Sequence, residues 1–167
     1  MAEALLIGKA DLQSYTALNG NVDTDKFIQF IKIAQDIHIQ NYLGTDLLNK
    51  IKADIESSTL ATPYLELVRD YIKPMLIHWS MVEYLPFSAY QIANKGVYKH
   101  SAENSETVQK NEVDFLIEKE RNIARHYTER FERYMCFNSA TFPEYNTNSN
   151  DDVRPDKNQN FSGWYGI

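Results

Sequence analysis

Four histidines (His38, His78, His100 and His126) and a single cysteine, Cys136, are the side chains in this 167-residue chain best suited to nucleophilic, acid–base or metal chemistry. A ligand set or a catalytic dyad usually shows such groups in a recognisable local pattern, and here they stand far apart. His78 lies inside a strongly apolar run and reads as a hydrogen-bonded core imidazole rather than a ligand. Glu83 belongs to the same run. Burial there would raise its pKa, and Lys73 or an arginine later in the chain is the expected partner. An enzyme built from dispersed residues would draw on His78, Glu83 and His126. The sequence has no phosphate-binding glycine loop, no nucleophile elbow and no HExxH helix. Asn146, Asn148, Asn150 and Asp152 alternate their oxygens as a calcium loop does. The central glycine is missing, however, and Lys157 stands where the closing glutamate belongs. No cofactor is expected. Cys136 cannot form an internal disulfide and is read as a small packed side chain near a helix end.

The elements that must position these groups are helical. Residues 71–93 form the most apolar and aromatic run, with Met75, Leu76, Ile77, Trp79, Met81 and Val82 leaving no clean polar face. A helix apolar nearly all round is a buried one. Lys73, His78, Glu83 and two prolines argue against a membrane span, which needs roughly 20 mostly uncharged residues. Each proline would cost ~3 kcal/mol in an unbroken helix interior. Pro74 therefore predicts a kink or a fresh helix start, and Pro86 a second bend.

Before this run, Asp11 opens one or two helical turns. Asp23 or Thr24 can cap a helix with Phe27, Ile28, Ile31, Ala34 and Ile37 inward and Lys26, Gln29, Lys32 and Gln35 between them. Gly44 suits a left-handed C-cap. Thr45 can cap the next helix, whose buried stripe is Leu47, Leu48, Ile51 and Ile55. Thr62 and Pro63 form a helix start, with the proline at the first helical position.

After the apolar run, residues 97–104 read as an exposed loop. Ser105 can cap the longest periodic segment, residues 106–137, about 45 Å of helix. Val113, Leu116, Ile117, Ile123, Ala124, Tyr127, Phe131, Tyr134 and Met135 make its apolar stripe. Glu118, Lys119, Glu120, Arg121, Glu129, Arg130, Glu132 and Arg133 make its charged face, read as solvated or as a seam between subunits. Residues 143–160 are polar and aperiodic, and such a segment alone cannot offset its ordering entropy. They end in an aromatic hook at Phe161, Trp164 and Tyr165, which would dock on its own domain or on a neighbour.

The predicted architecture is all-α: a compact helical bundle over residues 1–138, with a long C-terminal helix and an extended C-terminal arm over residues 139–167. The composition, 43% hydrophobic and 24% charged, is that of an ordinary globular domain. A net charge of −6 counts against a protein that grips phosphate backbones. The 21 aromatic residues (8 Phe, 11 Tyr and 2 Trp) suit protein contacts as well as a core. The N-terminus lacks the basic region of a secretory signal, so cytoplasmic synthesis is the default.

Several stretches carry a family resemblance: Asn21 to Asp23, Tyr84 to Phe87, Asn94 to Tyr98, Asn104 to Glu106, Asn111 to Val113, and Phe161 to Trp164. Together they resemble ring proteins of crAss-like bacteriophages and the wider class of helical head–tail connector adaptors. The resemblance implies a virion protein, made in the bacterial host, that assembles as a homo-oligomer, usually a dodecamer, beneath the portal protein. Such a ring extends the DNA channel without binding DNA specifically and presents a surface to the next tail or ring protein. It implies no catalytic residue. Lys95, Tyr98, Phe161, Trp164 and Tyr165 are the expected contact residues, and the arm is expected to cross to another protein. The alternative is a non-virion helical interaction or regulatory module of a phage.

Overall fold

The computed structural model describes residues 4–18, 25–88, 90–93, 96–99 and 110–157. Its fold is an all-α bundle carrying one small β-hairpin. The helices are α1 (Lys9–Tyr15), α2 (Asp25–Ala34), α3 (Gln40–Leu43), α4 (Thr45–Glu56), α5 (Tyr64–Leu67), α6 (Lys73–Tyr84) and α7 (Lys110–Asn138). Strands β1 (Tyr90–Ala93) and β2 (Gly96–Lys99) pair antiparallel, Tyr90 opposite Lys99. Among the described residues, no helix is long and apolar enough to cross a membrane.

Helix α6 occupies the centre, with α2 on one side and α7 on the other. Met75, Leu76, Ile77, Trp79, Ser80, Met81 and Val82 are all buried, as the lack of a polar face predicts. The Ser80 hydroxyl is satisfied by the Leu76 carbonyl. The helix is shorter than residues 71–93. It passes at Tyr84 into a 3-10 turn, Leu85–Phe87, and the chain then enters β1. Pro86 sits at the start of that turn, where its missing N–H disturbs no longer ladder. The hairpin replaces both the predicted last turns of the helix and the start of the predicted loop.

Pro74 is accommodated by a π-helical turn, Val68–Ile72, placed just before it. In an unbroken α-helix the proline ring would strike the carbonyl of Asp70, four residues back. Here the Lys73 N–H bonds to the Val68 carbonyl, five residues back, and the wider turn makes room. A second π turn, Gln35–Ile39, joins α2 to α3 and changes which residues face inward. Phe27, Ile31 and Ala34 are buried as the α-helical period predicts, but downstream the buried positions become Ile39 and Leu43. Ile28 and Ile37, expected inside, are each about half exposed, while Gln35, expected outside, is fully buried. Its amide is satisfied there: Oε1 accepts the Leu6 N–H and Nε2 donates to the Ala4 carbonyl, stitching the N-terminal segment to the bundle.

Gly44 forms the corner between α3 and α4, with φ +77° and ψ 159°. That is positive φ, as a glycine permits, but with an extended ψ rather than the left-handed helical one. Gly44 itself occupies the N-cap of α4 and Thr45 is the first helical residue, so Thr45 is not the cap. Leu47, Leu48 and Ile51 are buried and Ile55 packs half-buried against the core. Pro63, after a cis bond to Thr62, is the N-cap of α5 rather than its first residue. The proposed caps Asp23, Thr24 and Ser105 lie outside the described residues.

Helix α7 runs antiparallel to α6, with Tyr134 stacked on Tyr71 and Thr128 accepting the indole N–H of Trp79. Ala124, Thr128, Phe131 and Met135 bury its inner stripe. Glu118 pairs with Arg121, and Glu129 with Arg133, on its outer face. Glu120 does not join them, because it turns inward to His78.

Candidate functional site

Two histidine–carboxylate pairs flank α6. On the α2 side, His38 Nε2 lies 2.8 Å from Glu83 Oε1, and the imidazole is stacked on Trp79 at 3.9 Å with the planes 12° apart. On the α7 side, His78 Nδ1 lies 2.7 Å from Glu120 Oε2, and its ring is parallel to Tyr127 at 5.4 Å. Glu83 is thus partnered by His38, not by Lys73 or an arginine. Lys73 reaches Asp11 instead, at 3.3 Å. These partnerships depend on helix packing, which residue spacing within one segment does not reveal.

An imidazole held by a carboxylate is two parts of a nucleophile-activating triad. Among the described residues, neither ring bonds a serine, threonine or cysteine through its other nitrogen. Ser80 and Thr128 donate to main-chain carbonyls. The dispersed trio is not assembled either: His78 and Glu83 each have another partner, and His126 contacts the edge of Tyr127. Both pairs act as polar ties from the central helix to its neighbours. Cys136 is exposed rather than packed, a step of about 100° around α7 from the buried Met135.

The second polar centre is Asp46, in the first turn of α4. Its carboxylate accepts from the Ser149 N–H at 2.8 Å, the Ser149 hydroxyl at 2.9 Å, the Thr147 hydroxyl at 2.6 Å and the Asn150 amide at 3.0 Å. These donors, the Ser149 backbone first, hold its pKa below the usual carboxylate value. The stretch that resembled a calcium loop is therefore folded around an anion, with amide and hydroxyl groups donating. Asp152 accepts from Thr45 at 2.9 Å and from Gln40 at 3.2 Å. Among the described residues, no group of three or more His, Cys, Asp or Glu side chains could hold a metal ion.

Residues 139–157 consequently lie against their own chain. Phe142 and Tyr145 are buried in the main core. The Asp156 N–H bonds to the Asn41 carbonyl, the Thr45 N–H bonds to the Val153 carbonyl, and the Pro155 ring packs on the Gly44 backbone. Burial pushes the Tyr145 phenol up to about 12, with Glu132 and Asp156 adding to it. Glu132 is raised too, by burial first and then by Asp156 and Glu129.

Helix α7 carries exposed apolar side chains near both ends. The 3-10 turn at Leu85–Phe87, which follows α6, also packs against α7. None of residues 111–123 is buried. Phe115 is 69% exposed and Leu116 47%, and Phe137 near the other end of the helix is 87% exposed. Of the expected contact residues, Lys95, Phe161, Trp164 and Tyr165 lie outside the described residues. Tyr98 lies in β2, where only its backbone is described.

Fold and surfaces together define a small helical-bundle protein whose C-terminal strap is folded back onto the bundle. The chain belongs to DUF6712, a family of unknown function, whose model matches residues 39–155. That span runs from Ile39, the last residue of the π turn Gln35–Ile39, to the proline on Gly44, and so includes the whole Asp46 cluster. No curated protein and no solved structure matches the chain.

Proposed function

We propose that this protein is a structural subunit of a bacteriophage virion, a head–tail connector adaptor that assembles as a ring beneath the portal. The sequence resemblance suggests the class. The observation that supports it best is the exposure of Phe115 and Leu116, neighbours in the N-terminal half of α7. Large apolar side chains exposed together on a helix surface suit contact with another protein. In a ring of identical subunits, such a helix meets a different surface of the next copy, and rotation closes the circle. The mixed charges beside it, Glu118, Arg121 and Arg125, give such a contact register rather than strength.

Native mass spectrometry of the purified protein, alone and with its portal, tests the proposal. The expected result is a closed oligomer or a portal complex, lost in a Phe115→Ser, Leu116→Ser double variant that keeps its circular dichroism and melting temperature. A stable monomer indifferent to portal overturns it and favours a non-virion interaction module. Deleting residues 158–167 tests the arm separately: unchanged assembly and portal attachment would remove any role for the aromatic hook.

A further inference from the structure

A groove of about 460 Å³ opens between α1, the N-terminal half of α6 and the middle of α7. Pro74 and Ile77 contribute apolar surface, and Tyr15 and Tyr127 add aromatic rings. Arg69, Lys73 and Arg130 bring three cations to it, against the two carboxylates of Asp11 and Asp70. In a chain of net charge −6 this is a local reversal of sign.

The hydrogen-bonding inventory is more telling than the charge. Both carboxylates are committed. Asp11 accepts from the Gly8 N–H and from Lys73, and Asp70 takes a two-pronged contact from Arg69 at 2.6 and 2.7 Å. What remains uncommitted consists chiefly of donors. Arg130 lies with its guanidinium carbon 5.0 Å from the centre of the Tyr71 ring and has no carboxylate within ion-pair distance among the described residues. A guanidinium held over an aromatic ring and not paired with a carboxylate still has N–H donors to offer. Among the described residues the Tyr127 hydroxyl has no hydrogen-bond partner, and His78 meets Glu120 through Nδ1.

We propose that this groove is a docking site for an acidic peptide segment of a protein partner. A carboxylate side chain would sit on the Arg130 fork, and an adjacent apolar side chain against Pro74, Ile77 and the tyrosine rings. The donor fork matches the bidentate geometry of a carboxylate, and the apolar surface rewards a peptide over a free anion. The inference does not rest on the ring reading, since it names the chemistry of the partner and not the assembly.

The test uses the full chain, titrated with a capped hexapeptide of alternating glutamate and leucine, its glutamine counterpart, and inorganic phosphate. Binding is followed by calorimetry and by amide chemical shifts. The glutamate peptide should bind about tenfold or more tighter than the glutamine peptide, as a charge-assisted contact would give. Its shifts should centre on Tyr15, Lys73, His78 and Tyr127. Arg130→Ala should abolish that preference, while Arg125→Ala, on the same helix but outside the groove, should leave it intact. Equal binding of the two peptides, shifts located elsewhere, or unaltered preference in Arg130→Ala overturns the proposal. Phosphate displacing the peptide with equal affinity also overturns it, by showing a simple anion site. Unchanged melting of the Arg130→Ala variant excludes misfolding as the cause.

Discussion

Helix α6 and the strap formed by residues 139–157 both lie against the core, yet they are held there by different means. Seven of the twelve residues of α6 are buried, so its position is over-determined by packing on two sides. The strap reaches the core through Phe142 and Tyr145, and the rest of it is fixed by hydrogen bonds converging on Asp46, Thr45 and Asn41. Packing of the first kind tolerates the loss of any one polar contact. The second kind concentrates its specificity in a few groups at one corner of the bundle.

Removing one aromatic anchor from each region should separate the two. Trp79→Ala deletes a buried indole, its bond to Thr128 and the surface under His38, and should cost about 3–5 kcal/mol in urea denaturation. Phe142→Ala removes a side chain that is fully buried but lies where the chain leaves α7. Its cost should fall near the lower end, about 3 kcal/mol, with hydrogen exchange accelerated chiefly in the strap. Equal loss of protection across all helices would show that the strap is not a separable unit.

Gly44→Ala should come next, at about 1–3 kcal/mol. A Cβ there would lie 2.6 Å from the Pro155 ring, on a backbone with φ +77°. Pairing it with Pro155→Ala should restore the part due to the clash and leave the part due to the dihedral angle. A double variant no better than the single would place the whole cost in the backbone.

Asp46→Ala should leave the helices intact and speed amide exchange across residues 147–153 by roughly tenfold. The same loss should be obtainable with acid. Because its hydrogen bonds lower the folded-state pKa of Asp46, the stabilisation is present above the ordinary carboxylate range. It is lost as the pH falls through the lower folded-state value. Strap protection independent of pH in the wild type would break this account.

The smallest effect is expected at Glu132, where the sign is reversed. Burial and the neighbouring Asp156 raise its folded-state pKa, so the native state binds more protons there and stability declines as pH rises through that range. Glu132→Gln should therefore raise the melting temperature at pH 7 by about one or two degrees and do nothing at pH 3.

The contrast also explains what could be read from the residues alone. Helix α6 and the stripe Leu47, Leu48, Ile51 were legible because dense apolar periodicity states its own burial. The π turns were not. Each changes the helical phase, so Ile37 follows the α-helical period and is exposed while Gln35 violates it and is buried. Pro74 signalled an irregularity, but nothing local signalled the turn at Gln35. The strap was opaque for another reason. Its sequence is polar because the anchor for its donors is Asp46, more than a hundred residues away. The histidine–glutamate pairs share this difficulty, since Glu83 and Glu120 acquire their partners only through helix packing.

The bond from Gln40 to Asp152 spans 112 positions, and the one from Thr45 to Val153 spans 108. Contacts so distant along the chain are late events, since loop closure must precede them. During synthesis the α2–α6 contact has everything it needs well before Asp152 is made. The corner at Gly44 must wait for nearly the whole described chain. Only a chain translated through Pro155 can present the finished corner, with the Pro155 ring on the Gly44 backbone.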